Sequence, residues 1–95
     1  MEKRIKKRCA REVSALTARL HRIEGQVRGI ARMIEEDGYC VDVLNQTAAV
    51  RAALLSFEKV LLRSHIEDCV TADIKAGKEG AAEELTTLLG RLIGG

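Results

Sequence analysis

The chain has 95 residues, a length that makes one small domain at most and buries only a modest core. It lacks Pro and Trp, has one Phe and one Tyr, and is rich in Leu, Ala, Glu and Arg, a composition that favours helices over sheets. No stretch approaches the roughly 18 uncharged apolar residues of a membrane span, and the basic start lacks the apolar core of a signal peptide. We therefore expect an all-α protein in the cytoplasm with no membrane partner.

Positive charge is concentrated near the amino terminus. Residues 1–32 hold ten Lys or Arg and three Asp or Glu, whereas residues 33–95 hold six and eleven. The first part carries a formal charge of +7 and the second −5, and an oligomer would multiply the positive field, which attracts a polyanion such as DNA. The basic run consists of Lys3, Arg4, Lys6, Lys7 and Arg8, for which a solvated tail is the alternative interpretation.

Hydrophobic spacing predicts a first helix over residues 11–36, after a flexible basic tail at residues 1–10. Its apolar positions follow a 3-4 spacing, the seam of a helix packed as in a coiled coil: Val13, Leu16, Leu20, Ile23, Val27, Ile30 and Ile34. Gly38 is expected to be the left-handed residue that follows this helix. Gly25 and Gly29 fall inside it at a cost of roughly 1 kcal/mol each relative to Ala, which indicates close approach of a neighbouring helix or of DNA backbone.

A second helix is predicted over residues 40–76, because residues 41–76 contain no Gly or Pro and carry two apolar series with a period of seven. The two series are Val43, Val50 and Phe57, and Val41, Ala48, Leu55 and Leu62. The short connection after the first helix predicts an antiparallel hairpin. Gly77 and Gly80 bracket the next break, and a third helix over residues 80–93 is expected to dock its leucine face on the hairpin. Residues 1–95 are expected to form a single domain.

Three residues with metal-ligand chemistry lie near the two ends of the second helix. His65 and Cys69 are four residues apart, so they stand one turn above each other on one helix face. Cys40 precedes His65 by 25 residues, which is roughly 38 Å along an unbroken helix. Within one chain Cys40 cannot reach the pair, but an antiparallel copy of the helix in a second chain would meet it. The spacing therefore predicts a homodimer with two intersubunit sites.

Two thiolates and one imidazole form a soft donor set, which favours Cu(I), with Zn(II) as the main rival. Three ligands suit a trigonal Cu(I) centre, whereas structural Zn(II) generally takes a fourth donor. Each residue alone is more often structural, since a lone Cys packs as a small core residue and a His at a helix end complements the dipole. The agreement of all three positions reverses that preference. A three-coordinate site between helices offers no substrate pocket, so we expect neither an enzyme nor a small organic substrate.

Two stretches and the ligand pair carry a family resemblance. The first stretch is RLHRIEGQVRGI at residues 19–30, and the second is MIEEDGYCVDVL at residues 33–44. With His65, and with Cys69 followed by Val70, they resemble the CsoR family of copper-sensing transcriptional repressors and its nickel-, cobalt-, formaldehyde- and persulfide-sensing relatives. The resemblance covers nearly the whole chain, and the GQVRG and YCVDV elements together are more specific than any single short motif.

The resemblance implies an all-helical dimer, paired into a disc-shaped tetramer. Members of the family bind operator DNA upstream of efflux genes when metal-free and release it when metal binds. The implied Cu(I) ligands are Cys40 of one chain with His65 and Cys69 of the partner subunit, and the implied surrounding shell contains Tyr39 and either Glu83 or Glu84.

For DNA binding, the resemblance favours Arg19 and Arg22 on the first helix. Arg51 on the second helix is a further candidate. Pairing Cys40 with Cys69 across an antiparallel two-fold would instead set Arg51 beside Glu58 of the partner subunit, so both interpretations remain open.

Comparison with the ligand residues of the other sensor types in the family favours copper as the inducer. Nickel and cobalt sensors carry His where Cys69 stands and add a His near the amino terminus. Formaldehyde sensors have Pro directly after the initiating Met, where this chain has Glu2, and persulfide sensors lack the His that stands here as His65. Cys9 lies near the amino-terminal ligand of the nickel and cobalt members. It is therefore either a fourth donor that favours Zn(II) or Ni(II), or a thiol in a mobile basic tail.

Two other functions would use the same site. A thiol redox or persulfide sensor would join Cys40 and Cys69 of facing subunits. A copper buffer would hold the metal without DNA binding, and would not need Arg19 and Arg22.

Overall fold

The computed structural model describes residues 4–94, and all of its regular structure is helical. Helix α1 spans Ala10–Glu35, α2 spans Cys40–His65, a π-helical turn (the π turn) spans Ile66–Val70, α3 spans Thr71–Lys75 and α4 spans Ala81–Gly94. None of these helices combines the length and the apolar character that a membrane span needs. The predicted all-α class is confirmed, and the three predicted helical regions begin and end within one residue of the observed ones.

The end of α1 is a Schellman motif. The amide of Asp37 donates to Ile34 O at 3.2 Å, and the amide of Gly38 donates to Met33 O at 2.7 Å. Asp37 has the positive φ, at 58°, so the prediction that Gly38 is the left-handed residue is wrong. A short acidic side chain tolerates this conformation. Gly38 is needed for space instead, because a Cβ at this position would lie 2.9 Å from Met33 O.

Helices α1 and α2 form an antiparallel hairpin, as predicted. Arg19 Nη1 donates to Ser56 Oγ at 3.2 Å. Arg22, one turn further along α1, lines the same pocket as Ala53, which lies one turn earlier in α2. Residue numbers that increase along α1 therefore face residue numbers that decrease along α2, so the two helices run antiparallel on either side of the turn at residues 36–39.

The apolar positions of the hairpin divide into two lines that each repeat every seven residues. The inner line is buried or half-buried and consists of Leu16, Ile23 and Ile30 on α1 and Val43, Val50 and Phe57 on α2. The outer line is exposed in the single chain and consists of Val13, Leu20, Val27 and Ile34 on α1 and Val41, Ala48 and Leu55 on α2. The apolar positions of α1 that were predicted to form one seam therefore face two directions, because only every second one of them packs within the hairpin.

The π turn interrupts the α-helical hydrogen bonding after His65. The amide of Thr71 donates to Ile66 O, five residues back, where an α-helix would use the fourth. The structure thus differs from the predicted uninterrupted helix over residues 40–76. Leu62, Ile66 and Val70 are all at least half-buried and lie four apart, a spacing that drifts by about 40° per step in an α-helix. The wider π turn reduces this drift over the step from Ile66 to Val70.

The described residues group into two compact units. The first extends to Glu58 and contains the hairpin, with Leu16, Ile23 and Val50 buried. The second begins at Lys59 and contains the π turn, α3 and α4, with Val70 buried. In this unit α4 contacts both the π turn and α3, and its half-buried leucines are Leu85, Leu88, Leu89 and Leu92. The expectation that residues 1–95 form one domain stays a prediction.

Candidate metal centre and nucleic-acid interface

His65 and Cys69 lie on either side of the junction between α2 and the π turn. His65 is the last residue of α2, Cys69 belongs to the π turn, and both are half-buried. Two neighbouring pairs with the same spacing are hydrogen-bonded across this junction, Arg63 to Glu67 at 3.1 Å and Ser64 to Asp68 at 3.3 Å. Side chains four residues apart therefore reach each other here. His65 and Cys69 form the next such pair, so this geometry allows both to bind one ion.

Cys40 and Tyr39 lie in the first compact unit. Cys40 is the first residue of α2, Tyr39 immediately precedes it, and both side chains are exposed. Within residues 4–94 of the single chain, no group of three or more His, Cys, Asp or Glu side chains is placed to hold a metal ion. The structure therefore does not bring the three predicted ligands together in one chain, and their joint role stays a prediction.

The remaining candidates for the metal centre lie in α4 and before α1. Glu83 and Glu84 are exposed in the first turn of α4, and α4 contacts the π turn that carries Cys69. Cys9 directly precedes α1, where its carbonyl oxygen accepts a hydrogen bond from the amide of Val13 at 3.1 Å. Its thiol is free and exposed, as is that of Cys40.

The donor set fits a soft, low-coordinate metal ion. The three residues Cys40, His65 and Cys69 offer two thiols and one imidazole. This soft donor set binds Cu(I) in preference to harder cations. The thiol of Cys69 is free, and both Cys69 and His65 are half-buried. The residues present therefore suit Cu(I), which supplies a bond to each donor when it is bound.

A basic pocket of about 290 Å³ lies between α1 and α2 in the first unit. Its lining residues are Arg19, Arg22, Ile23, Gln26, Ala53 and Ser56. The hydrogen bond from Arg19 to Ser56 holds one guanidinium at the pocket wall. Two positive charges beside a hydroxyl and an amide form a surface suited to a phosphate oxygen.

Gln26 and Ser56 are functional candidates that the sequence interpretation missed. The Gln26 Oε1 atom is buried and accepts no hydrogen bond from the described residues. Gln26 lies in the GQVRG element, so the motif itself was the available signal. Ser56 could have been found from the hairpin register, because it lies opposite Arg19 across the turn.

The other predicted DNA-binding residues are dispersed. Arg51 is exposed on α2, and Lys7 is exposed before α1. Arg8 forms an ion pair with Glu12 at 3.4 Å, and Arg4 and Lys6 also have partners. Lys3 lies outside the described residues. The structure thus brings Arg19 and Arg22 together at one pocket.

An open glycine face borders the pocket. Gly25 and Gly29 follow Arg22 by three and seven residues, so all three lie on one side of α1. Apart from its chain neighbours and the backbone of its own helix, a Cβ added at either glycine would meet no atom of the described residues within 4 Å. The predicted close approach is therefore not made by this chain to itself, and the face is open for another molecule.

Comparison with known proteins identifies relatives along almost the whole chain. Residues 12–91 match the family model described as metal-sensitive transcriptional repressor. The chain is 51% identical over 78 residues to the copper-sensing transcriptional repressor RicR of Mycobacterium tuberculosis (strain ATCC 25618 / H37Rv), covering 79% of this chain and 81% of the relative.

Two solved structures have the same fold. A crystal structure of the copper-sensing repressor CsoR with Cu(I), from Geobacillus thermodenitrificans NG80-2, aligns with a TM-score of 0.88 at 37% identity over 94% of each chain. The nickel-responsive transcriptional regulator InrS aligns with a TM-score of 0.71 at 35% identity, over 93% of this chain and 97% of that one.

Proposed function

Because the chain belongs to the family of metal-sensitive transcriptional repressors, we propose that it is a cytoplasmic, Cu(I)-responsive repressor and not an enzyme. It binds operator DNA when metal-free and releases that DNA on taking up Cu(I), which derepresses genes for copper efflux and homeostasis. The observation that carries the choice of copper is the donor set, in which Cys occupies position 69 and His occupies position 65.

The proposed metal centre is shared between two chains. Cys40 of one chain and His65 and Cys69 of the partner subunit are the ligands, and Tyr39 with Glu83 or Glu84 surrounds them. Support comes from the side-chain pairs that meet across the α2–π junction, which allow His65 and Cys69 to act together. Cys9 remains outside this three-ligand set.

The outer line supports the assembly that this shared site requires. Its exposed members include Val27 and Ile34, with half or more of each side chain in contact with solvent. An apolar stripe of this length with a seven-residue period is typical of helices that pack against another copy. We propose that two hairpins bury their outer lines against each other in a homodimer, and that dimers pair into a homotetramer.

The basic pocket is the proposed DNA contact. Arg19 and Arg22 would bind backbone phosphates, with Ser56 orienting Arg19 and the open face at Gly25 and Gly29 allowing the backbone to approach. Such contacts position the protein on the duplex and make its affinity depend on salt. Arg51, Lys7 and the other residues of the basic tail add to the positive field.

Thermodynamic linkage connects the two sites. If the metal-loaded assembly has lower affinity for the operator, then operator binding lowers the affinity for Cu(I) by the same factor. Because the ligands come from two chains, occupation of the site restrains how their helices cross. The Arg19 pockets of those chains would then no longer match the spacing of the phosphates.

Titration of operator DNA with metal-free and Cu(I)-loaded protein tests this proposal. Allosteric coupling usually changes affinity by about 5- to 150-fold. We expect Cu(I) loading to lower the operator affinity by a factor within this range or above it. The DNA immediately upstream of the chain's own gene serves as the probe. Equal affinity in the two forms would contradict the repressor model, and no operator binding in either form would indicate a copper buffer.

Parallel titrations separate copper from the competing inducers. Zn(II) and Ni(II) should leave operator binding intact at concentrations where Cu(I) releases the DNA. Mass spectrometry after mild persulfide or peroxide treatment should show no crosslink between Cys40 and Cys69 of two chains at low reagent excess. If Zn(II), Ni(II) or persulfide released the DNA more effectively than Cu(I), that species and not copper would be the inducer.

Alanine at both Gly25 and Gly29 is expected to stabilise the metal-free protein and weaken its DNA binding. Each substitution should add about 1 kcal/mol of helix stability, since the new methyl groups have open space around them. The same methyl groups would obstruct the DNA backbone, so we expect several-fold weaker operator binding. Thermal unfolding and fluorescence anisotropy measure the two effects.

Gly90→Ala is the matched control for this pair. Gly90 lies inside α4, and a Cβ there also has open space within 4 Å of it among the described residues, its own helix backbone and chain neighbours aside. The control should therefore stabilise the protein without changing operator affinity. If the double variant at positions 25 and 29 binds the operator as tightly as the wild type, the glycine face does not contact the DNA.

A further inference from the structure

Two hydrogen bonds to one carbonyl oxygen hold the π turn. Ile66 O accepts the amide N–H of Thr71 and also its hydroxyl, with 2.8 Å between Oγ1 and the oxygen. A carbonyl oxygen has two lone pairs, so Thr71 can occupy both. The same threonine therefore closes the turn through its backbone and through its side chain.

The reach of this hydroxyl distinguishes it from other threonine hydroxyls of the chain. Thr17, Thr47 and Thr86 donate to carbonyl oxygens three or four residues earlier, the usual pattern in an α-helix. Thr71 donates five residues back. Its hydroxyl bond is thus matched to the width of the π turn, a form of helix that occurs frequently at functional sites.

The width of the turn sets the angle between His65 and Cys69. Residues four apart overshoot one full turn by about 40° in an α-helix. In a π turn each revolution holds more residues, so the same pair comes closer to alignment. A turn that relaxed to α-helical hydrogen bonding would therefore rotate the Cys69 thiol relative to the His65 imidazole.

We propose that Thr71 is a positioning residue for the metal centre. By holding Ile66 O, its hydroxyl keeps the π turn closed and Cys69 aligned with His65. Thr71 is exposed, lies just beyond the turn, and acts through the backbone rather than as a ligand. The inference rests on the proposed function, because it takes His65 and Cys69 to be ligands of Cu(I).

Thr71→Val tests the role of the hydroxyl at nearly constant side-chain volume. A methyl group would stand where an oxygen now lies 2.8 Å from Ile66 O, too close for carbon, so the turn or the rotamer must change. We expect about 10-fold weaker Cu(I) binding in competition with a chelator, the loss typical of a group that orients a metal ligand. The ultraviolet thiolate-to-Cu(I) absorption should change with it.

Conservative and matched variants separate positioning from general stability. Thr71→Ser retains the hydroxyl and should recover Cu(I) affinity and absorption. Thr71→Ala lacks both the hydroxyl and the intruding methyl, and should weaken Cu(I) binding even if the valine variant fails to fold. Thr86→Val removes a hydroxyl bond within α4 and should leave Cu(I) affinity unchanged. Metal-free operator affinity should equal that of the wild type in all folded variants.

A metal-free measurement reports on the turn directly. The NMR coupling across the hydrogen bond from Thr71 N to Ile66 C should persist in Thr71→Ser and disappear in Thr71→Val. If folded valine and alanine variants bind Cu(I) as tightly as the wild type, the positioning role is overturned. A wild-type protein that does not bind Cu(I) would instead overturn the proposed function, which keeps the two failures distinct.

Discussion

Replacing Cys40 or Cys69 with Ala is expected to abolish the release of operator DNA by Cu(I). Each thiol is one of three proposed donors, and even loss of a group that merely orients a ligand costs about 10- to 100-fold in metal affinity. We therefore expect a loss of more than about 100-fold, measured by competition with a Cu(I) chelator. Metal-free operator binding should stay within a few-fold of the wild type. Cys9→Ala, the control thiol, should respond normally.

Mixing the two inactive variants tests whether the site is shared between chains. Co-expressed Cys40→Ala and Cys69→Ala chains, purified through two different tags, form mixed dimers. Such a dimer has one site that lacks both thiols and one site that is intact, because the two thiols of each site come from different chains. Cu(I) binding should return to the mixed dimer. If it remains absent, each site lies within one chain and the proposed assembly is wrong.

Arg19→Ala is expected to weaken operator binding by roughly 10-fold or more at low salt, because each DNA-bound chain then neutralises one phosphate fewer. The slope of log affinity against log salt should become shallower by about 1 for each phosphate that the variant leaves unneutralised. Cu(I) affinity in the absence of DNA should not change. Fluorescence anisotropy over a series of salt concentrations measures the slope, and Arg22→Ala should behave in the same way.

Arg28→Ala is the matched control for both variants. The substitution removes the same charge from the same helix, but Arg28 points to another side of α1 and forms an exposed ion pair with Glu24 at 3.6 Å. Exposed pairs of this kind contribute little to stability. A loss of operator affinity equal to that of Arg19→Ala would show that the protein attracts DNA through its overall charge rather than through the pocket.

The sequence was sufficient for the helical class, the outer limits of the three helical regions and the family, because each depends on patterns that continue over many residues. Its limits appear where one backbone hydrogen bond decides the outcome. Asp37, not Gly38, adopts the positive φ, and Gly38 is instead needed for its close approach to Met33. The π turn was also not predicted, although the four-residue spacing of Leu62, Ile66 and Val70 was visible in the sequence.

The candidate site was predictable in its parts and not in its assembly. Spacing places His65 and Cys69 at one junction, and the family motif indicates Arg19 and Arg22. Gln26 and Ser56 emerge only when the two helices are set in register, because the pocket joins residues that are far apart in the chain. The proposed role of Cys40 requires an arrangement of two chains, which the geometry of one chain does not specify.

The single chain has a small apolar interior. Among residues 4–94 the buried apolar side chains are Leu16, Ile23, Val50 and Val70. Full burial of such a side chain contributes about 1.5–3 kcal/mol, so a lone chain gains little against its conformational entropy. If burial of the outer line in a dimer supplies the remainder, folding follows mass action and its midpoint rises with concentration. A cell with few copies of the chain would lose folded protein to proteolysis, and each newly made copy would protect those already present.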